Sequence, residues 1–242
     1  MNIFLVRHGE SLANMDHSVC KALPDHSIGL TSRGKDQANI VGEYLTRKVS
    51  TYLRNTDSSS ISQYSTKTQI RLWSSSYKRA RSTATRIALA FRDSPELKGK
   101  YDSREDTALR EQEFGLFDGH SDKVDESGTS ELQRAFPLEW AHYAKCEQLQ
   151  GRFYARMPLG ESRADVALRV KTMFGTIVRD SEKHGIDTHV IVSHGVTIRA
   201  FVMQWCHYTP EWFDQAKNPG NCSVTHLSSH GLHLGLVYNG DD

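Results

Sequence analysis

The sequence predicts an α/β protein, a three-layer α/β/α sandwich around a mostly parallel central sheet. Three observations carry that expectation. Ile3-Phe4-Leu5-Val6 and Val190-Ile191-Val192 are unbroken apolar runs, short enough to be strands covered on both faces. Amphipathic helical stretches separate strand candidates along most of the chain, the order that builds a parallel sheet. Both runs also lead into a histidine followed by glycine. Parallel strands release their carboxyl ends on one side of the sheet, where ligands bind.

The first strand empties into Arg7-His8-Gly9-Glu10. Arg and His are costly to bury without partners, so this strand end reads as a site rather than core. Residues 11–30 are polar and irregular. Thr31 reads as a helix N-cap, followed by Ala38, Val41 and Leu45 at helical spacing. Residues 50–68 are rich in Ser, Thr and Asn and read as a surface insertion, since they bury little apolar area. Ile70-Arg71-Leu72-Trp73 predicts a strand ending in Ser74-Ser75-Ser76, then a helix with Ala80, Ala84, Ile87, Ala88 and Phe91 on one face.

Residues 93–103 read as a loop punctuated by Pro95 and Gly99. Leu109 to Gly119 is a short element, more charged than packing requires. Residues 120–158 are expected to form a helical excursion over the site, with its helix around Leu138 to Leu149. Gly160-Glu161-Ser162 leads into an amphipathic helix whose stripe is Val166, Val170, Met173, Phe174 and Ile177. Val196 to Trp205 reads as a buried helix, and Ser223–Leu227 and Leu234–Tyr238 as short strands. No repeat or linker interrupts the pattern, so the expectation is one domain over residues 1–242.

Thirty basic against twenty-nine acidic residues leave a formal net charge of +1. That balance argues against nucleic acid or a membrane surface as partner, so any anion site is local. The four cysteines (Cys20, Cys146, Cys206, Cys222) form no CxxC pair and read as reduced thiols, pointing to a cytoplasmic protein. No signal-peptide pattern opens the sequence, and no apolar window is long enough to span a bilayer.

The chemistry is expected where Val6-Arg7-His8-Gly9 meets Val192-Ser193-His194-Gly195. Arg79 joins them from the helix after Ser74-Ser75-Ser76, whose N-terminus is itself an anion site. Two arginines and two histidines suit a phosphoryl dianion, and phosphoryl transfer needs little beyond positioning and charge neutralisation. A neutral imidazole is a competent nucleophile, which makes His8 the candidate, with Arg7 holding the anion it attacks. Glu111 is the best carboxyl to protonate the leaving alkoxide, and Glu113 is the alternative.

These residues resemble the histidine phosphatase superfamily, which includes the cofactor-dependent phosphoglycerate mutases. Six ordered motifs carry the likeness: Arg7-His8-Gly9, with Glu10, Ser11 and Asn14; Leu30-Thr31-Ser32-Arg33-Gly34-Lys35-Asp36-Gln37-Ala38; Ser75 to Ala84; Leu109-Arg110-Glu111; Gly160-Glu161-Ser162; and Ser193-His194-Gly195. Ser76 stands where the family usually has Pro. The resemblance implies a phosphoglycerate mutase-like fold and a metal-independent phosphomonoesterase acting through phosphohistidine on His8. Arg7, Arg79 and His194 would hold the phosphoryl oxygens, Glu111 would act as proton donor, and Asn14 and the backbone near Gly195 would add hydrogen bonds. It implies a small phosphorylated substrate, with no cofactor and no metal.

The runs Arg110–Gly115 and Arg156–Ser162 look like the fungal and plant broad-range acid phosphatase branch. The segment 120–158 lacks the Tyr, Arg and Lys motifs by which the mutases recognise a carboxylate. Phosphatase is therefore favoured over mutase or sugar-bisphosphatase activity at the same site. A catalytically silent binding protein is disfavoured, because no member of the constellation is missing. Cys146 and Arg152 have Cys-x5-Arg spacing, but the adjacent Glu147 would repel a phosphate. His226, His230 and His233 lack a companion ligand at metal-site spacing and read as surface or packing residues.

Overall fold

A computed structural model describes residues 1–57, 69–228 and 231–238, with side chains through 54, 69–228. The elements run β1 (Asn2–Arg7), α1 (Leu12–Met15), α2 (Val19–Ala22), α3 (Ser32–Asp57), β2 (Ile70–Ser74), α4 (Lys78–Asp93), β3 (Tyr101–Glu105), α5 (Glu131–Ala135), α6 (Pro137–Gln150), α7 (Arg163–His184), β4 (Thr188–Ser193), α8 (Gly195–Cys206), α9 (Pro210–Gln215), β5 (Val224–Ser228) and β6 (Gly231–Tyr238). One six-stranded sheet has the order β3-β2-β4-β1-β5-β6. The first four positions are parallel, and β5 and β6 continue the sheet antiparallel. The predicted α/β architecture with a mostly parallel sheet is the observed one.

Two apolar clusters cover the two faces. Phe4 and Val6 of β1 pack with Ala38, Val41 and Leu45 of α3 and Ala80, Ile87 and Phe91 of α4. Ile3 and Leu5, pointing the other way, pack with Val166, Val170, Met173 and Ile177 of α7 and Phe201 of α8. The period-2 alternation of β1 thus feeds two cores, which is why its sequence reads as continuously apolar. Thr31 caps α3, its hydroxyl accepting from the Gly34 N–H at 2.9 Å, and Ser162 caps α7 in a reciprocal box with Asp165.

Three boundaries differ from the sequence reading, the simplest being β6, which begins at Gly231 rather than Leu234. The helix α3 continues through residues 50–57, with Ser50 and Leu53 buried. Leu53 and the partly buried Tyr52 extend the stripe of Leu45 and Val49; the Ser/Thr/Asn content hid a stripe that tertiary packing sustains. Residues 58–68 of the expected insertion lie outside the described residues. Likewise β3 begins inside the stretch read as a loop. It is an edge strand paired with β2, and Asp102, Ser103, Arg104 and Glu105 give no apolar signal because no residue of the strand is buried. Arg71, buried in the middle of β2, is held by Asp180 of α7 (Nε–Oδ2 2.5 Å) and by Asp102.

The excursion contains α5 and α6, which carry their own small cluster of Phe117, Leu132, Tyr143 and Ala155, flanked by Phe136 and Trp140. Cys146 sits on α6 with its Sγ 3.6 Å from His142 Nε2, and Arg152 pairs with Glu147. His226 stacks on Phe4 and bonds Asn2 Oδ1 at 3.0 Å, a packing histidine. The side chains of His230 and His233 lie outside the described residues. Among those described, no helix is long and apolar enough to cross a membrane.

Candidate active site

The strands β1 and β4 are neighbours in register, with Val6 opposite Val192 and Arg7 opposite Ser193. His8 and His194 are therefore the next residue on each chain, released together at the carboxyl edge of the sheet. The His8 N–H donates to Ser193 O at 3.0 Å, and the two imidazole centroids stand 5.0 Å apart. Both side chains are buried. Gly9 is dictated by close approach: a Cβ there would collide with the backbone of Gly34, and one on Gly34 with that of Glu10. The first motif and the Leu30–Ala38 motif are thus two sides of one backbone contact.

His8 Nδ1–H donates to its neighbour's carbonyl, Gly9 O, at 2.7 Å. A carbonyl only accepts, so the ring proton sits on Nδ1 and the lone pair on Nε2. Burial pushes the His8 pKa well below the usual 6.5, and the Arg79 and Arg7 charges add to that; the Gly9 bond opposes it. The ring is neutral and its Nε2 unprotonated at neutral pH. His194 is lowered in the same direction, by burial first and then by Arg79 and His8.

His194 Nε2 lies 2.8 Å from Ser75 Oγ, which also accepts from the Tyr77 N–H at 3.2 Å. The Ser75 hydroxyl is then the natural donor to Nε2, which leaves His194 Nδ1 with the proton. That nitrogen is buried and has no hydrogen-bond partner among the described residues. A buried donor left unmatched is costly, and here it stands beside the nucleophile candidate, where an anionic oxygen would satisfy it.

Arg7 donates through Nη1 to Pro219 O at 2.6 Å. Arg79, the second residue of α4, is buried and engaged bidentately by Asp25, Nη1–Oδ1 2.6 Å and Nη2–Oδ2 3.0 Å. Its guanidinium lies 5.1 Å from the Tyr77 ring centroid, and that ring in turn meets His194 edge-on at 5.2 Å. Asp25 and Tyr77 carried no signal of their own in the sequence. Asp25 comes from a 3-10 turn, and only the folded chain brings it to Arg79.

Glu111 sits in the loop between two 3-10 turns. Its Oε1 accepts from the Gln112 N–H at 3.0 Å, and the Thr197 hydroxyl lies 3.4 Å away. Thr197 is in the first turn of α8, whose N-cap is His194, so Glu111 is brought to the histidines. Glu113 instead pairs with Arg110 at 3.0 Å and is half exposed. The loop is held from below by Arg169 of α7. Its guanidinium donates to the carbonyls of Ala108 (2.7 Å), Arg110 (2.8 Å) and Glu111 (3.0 Å) while pairing with Glu161 Oε1 and Oε2. Glu161, the middle residue of Gly160-Glu161-Ser162, also takes Arg110 at 2.7 Å.

Asn14 is exposed, and its Oδ1 accepts from Ser11 N–H (3.0 Å) and Asn221 Nδ2 (3.1 Å). Asn221 also donates to His8 O at 3.0 Å, and the Gly9 N–H donates to Thr83 Oγ1 at 3.1 Å. Gly195 opens α8 against the side chain of Asn218, which fills the place of a Cβ. All the predicted residues therefore surround one edge of the sheet. His17, Cys20 and Asp118 also group their ligand atoms within 4.8 Å of one another. Burial, then Asp118 and Asp25, push the Cys20 thiol up to about 12, a poor start for thiolate ligation.

Residues 3–241 match the model of the histidine phosphatase superfamily, branch 1. The chain belongs to the histidine phosphatase superfamily. It is 33% identical to phosphoglycerate mutase-like protein AT74 of Arabidopsis thaliana over 92% of its own length, but spans only 63% of that relative. The broad-range acid phosphatase DET1 of Saccharomyces cerevisiae is 28% identical, covering 92% of the chain and 83% of that relative. A mycobacterial glucosyl-3-phosphoglycerate phosphatase shares the fold with a TM-score of 0.61 at 21% identity, over 94% of this chain and 90% of that one. Bacillus stearothermophilus YhfR superposes with a TM-score of 0.63 at 21% identity, over 100% and 97%.

Proposed function

We propose that this chain is a metal-independent phosphomonoesterase working through a covalent phosphohistidine on His8. The observation that carries the reading is the Nδ1–Gly9 O bond of 2.7 Å, which leaves Nε2 as the nucleophilic lone pair of a neutral ring. Nε2 attacks phosphorus as the ester P–O bond breaks, and Glu111 gives its proton to the departing alkoxide. Glu111, now a carboxylate, takes a proton from water; the water oxygen attacks phosphorus, the P–N bond breaks, and phosphate leaves with His8 restored. His194 Nδ1–H, Arg7 and Arg79 supply the charge that phosphoryl transfer demands, with Asn14 and the start of α8 at Gly195 completing the ring of donors.

The DET1 name supports phosphatase chemistry, and the AT74 name keeps mutase activity in view. The test is a rapid-quench trap of phosphoprotein, base-stable and acid-labile, during p-nitrophenyl phosphate turnover in excess EDTA. Wild type should accumulate one phosphoryl group per chain on His8, and His8→Ala none, with turnover reduced beyond detection and the far-UV spectrum unchanged. Substantial activity in His8→Ala, or loss of activity in EDTA, would sink the mechanism. With 3-phosphoglycerate, isomerisation faster than phosphate release would show a mutase instead.

A further inference from the structure

A cavity of about 870 Å³ adjoins the histidines through Gln112, Val196 and Asn218. Part of its wall is a junction of two segments: His17 and Ser18, which lead into α2, with Lys21 on it, and Gly119 and His120 at the base of the excursion. The two backbones touch. Gly119 has a φ of +77°, and a Cβ there would stand 2.9 Å from the Lys21 backbone nitrogen, so a glycine is needed for the approach. Lys21 closes the same junction by pairing with Glu131 of α5.

His17, Cys20 and Asp118 meet at this junction, the one group of its kind among the described residues. The spacing of His17 and Cys20 follows from a turn in which the Cys20 N–H donates to His17 O at 3.1 Å. It leaves His17 Nδ1 3.9 Å from Cys20 Sγ. A tetrahedral ion held by an imidazole at about 2.0 Å and a thiolate at about 2.3 Å needs an N···S separation of about 3.6 Å. A small turn of the exposed His17 ring supplies the difference. From the other segment, the Asp118 carboxylate accepts from the Cys20 thiol. A metal ion between them would take the place of the proton that thiol and carboxylate now share.

We infer that His17, Cys20 and Asp118 form a binding site for a thiophilic divalent cation of the zinc type, outside the reaction at His8. An imidazole, a thiolate and a carboxylate suit zinc, whereas magnesium and calcium take oxygen ligands. Binding would release the Cys20 proton to solvent, and the thiolate and the Asp118 carboxylate would together neutralise the dication. Asp118 and Asp25 help to keep that proton in place, but a bound cation is the largest local charge and deprotonates a coordinating thiol outright. Three protein ligands leave the fourth tetrahedral position to water. Structural zinc sites take four protein ligands, so this ion would be exchangeable. Because its ligands come from two segments, it would pin the base of the excursion to α2 at the cavity wall.

The test uses the purified, untagged full-length chain, stripped with EDTA and then dialysed free of it, titrated with Zn²⁺ by calorimetry and with Cd²⁺ by ultraviolet absorption. One ion per chain should bind in the micromolar range, with a thiolate-to-cadmium charge-transfer band, and Mg²⁺ should not compete. Cys20→Ser should remove the band. Cys20→Ser and His17→Asn should each weaken Zn²⁺ binding at least tenfold, since even the outer partners of a metal ligand are worth about 10–100-fold. Cys146→Ser is the control: Cys146 lies 3.6 Å from His142 Nε2 but has no third ligand beside it among the described residues, so binding should not change. Hydrogen exchange at residues 17–21 and 117–121 should slow on adding Zn²⁺ to wild type but not to Cys20→Ser. Binding only at millimolar concentration, no charge-transfer band, or an affinity that neither ligand variant changes overturns the site. Metal-free Cys20→Ser should hydrolyse p-nitrophenyl phosphate as wild type does; a loss of turnover there would overturn the placing of the site outside the reaction.

Discussion

The carboxyl edge of the sheet and the wall of the cavity beside it are built on different principles. At the edge, backbone register fixes the chemistry: Arg7 lies opposite Ser193, and His8 and His194 follow without a residue to spare. The cavity is lined by segments far apart in sequence, from Asp16 to Asn218, and the excursion that supplies part of that lining packs on Phe117, Leu132 and Tyr143 rather than on the main core. A ladder of backbone hydrogen bonds holds the first region in register, the positioning that the proposed phosphoryl transfer requires. A satellite cluster can vary without disturbing that ladder. This division explains how one fold keeps its reaction while its substrates change.

The largest expected effect tests the edge. Glu111→Gln should lower kcat on alkyl phosphates by about 10²–10⁴, the usual worth of a general acid, and far less on p-nitrophenyl phosphate, whose leaving group needs little protonation. Equal losses on both would move the acid to Glu113. Arg169→Gln, which loosens three carbonyls of the acid loop, should reproduce this leaving-group dependence in weaker form. A purely structural role would instead lower activity on both esters alike.

Phe117→Ala tests the other side. Phe117 meets Tyr143 edge-on at 5.6 Å and lies near Trp140 and Phe136. Removing a ring of this kind from a packed site costs about 3–5 kcal/mol, and here the cost should fall on the excursion. Hydrogen exchange should quicken in α5 and α6 before β1 and β4, and KM should rise while the trapped phosphoprotein on His8 persists. Simultaneous melting of both regions would show that they are one cooperative unit, against the division drawn above.

Acid should separate them in the opposite direction. The buried histidines among the described residues, His8, His189, His194 and His226, all stand on or just past sheet strands. His189 Nδ1 accepts from Trp73 Nε1–H at 3.1 Å, and its Nε2 meets Ser181 Oγ at 2.9 Å. Burial brings its pKa down to about 4. Between the unfolded value near 6.5 and that folded value, the unfolded chain binds a proton that the native chain does not, so stability falls as pH falls. At pH 5 this group alone contributes a loss of about 2 kcal/mol relative to pH 7. His8 and His194, lowered in the same direction, steepen it. The urea midpoint should drop between pH 7 and 5, and a flat profile would mean that these rings charge while folded.

The same contrast decides what could be read from sequence. Strands β1, β2 and β4 were legible because apolar runs ended in Arg7-His8 and Ser193-His194, and α7 because Ser162 and a periodic stripe announce it. The edge strand β3 was not, since none of its residues is buried, and α3 ran past its apparent end because Leu53 still packs inward. His8, His194, Arg79 and Glu111 were legible because each is local to a motif. Asp25 on Arg79, and Asp118 beside His17 and Cys20, are meetings across the chain with no local trace.

Asp25 yields the smallest effect and the finest test. Its carboxylate takes the Arg79 fork with the geometry that a phosphoryl group would use. For phosphate to receive that fork, Asp25 must yield it, and its negative charge must remain beside an arriving dianion. Asp25→Asn keeps the shape and one acceptor but removes the charge. Inorganic phosphate should then inhibit a few-fold more tightly, with kcat little changed, the scale of one partly screened charge. The effect should shrink in high salt, which weakens interactions near the surface. Weaker phosphate inhibition would reverse the interpretation: Asp25 would then hold Arg79 in place for its ligand, and the edge would depend on a loop as well as on strand register.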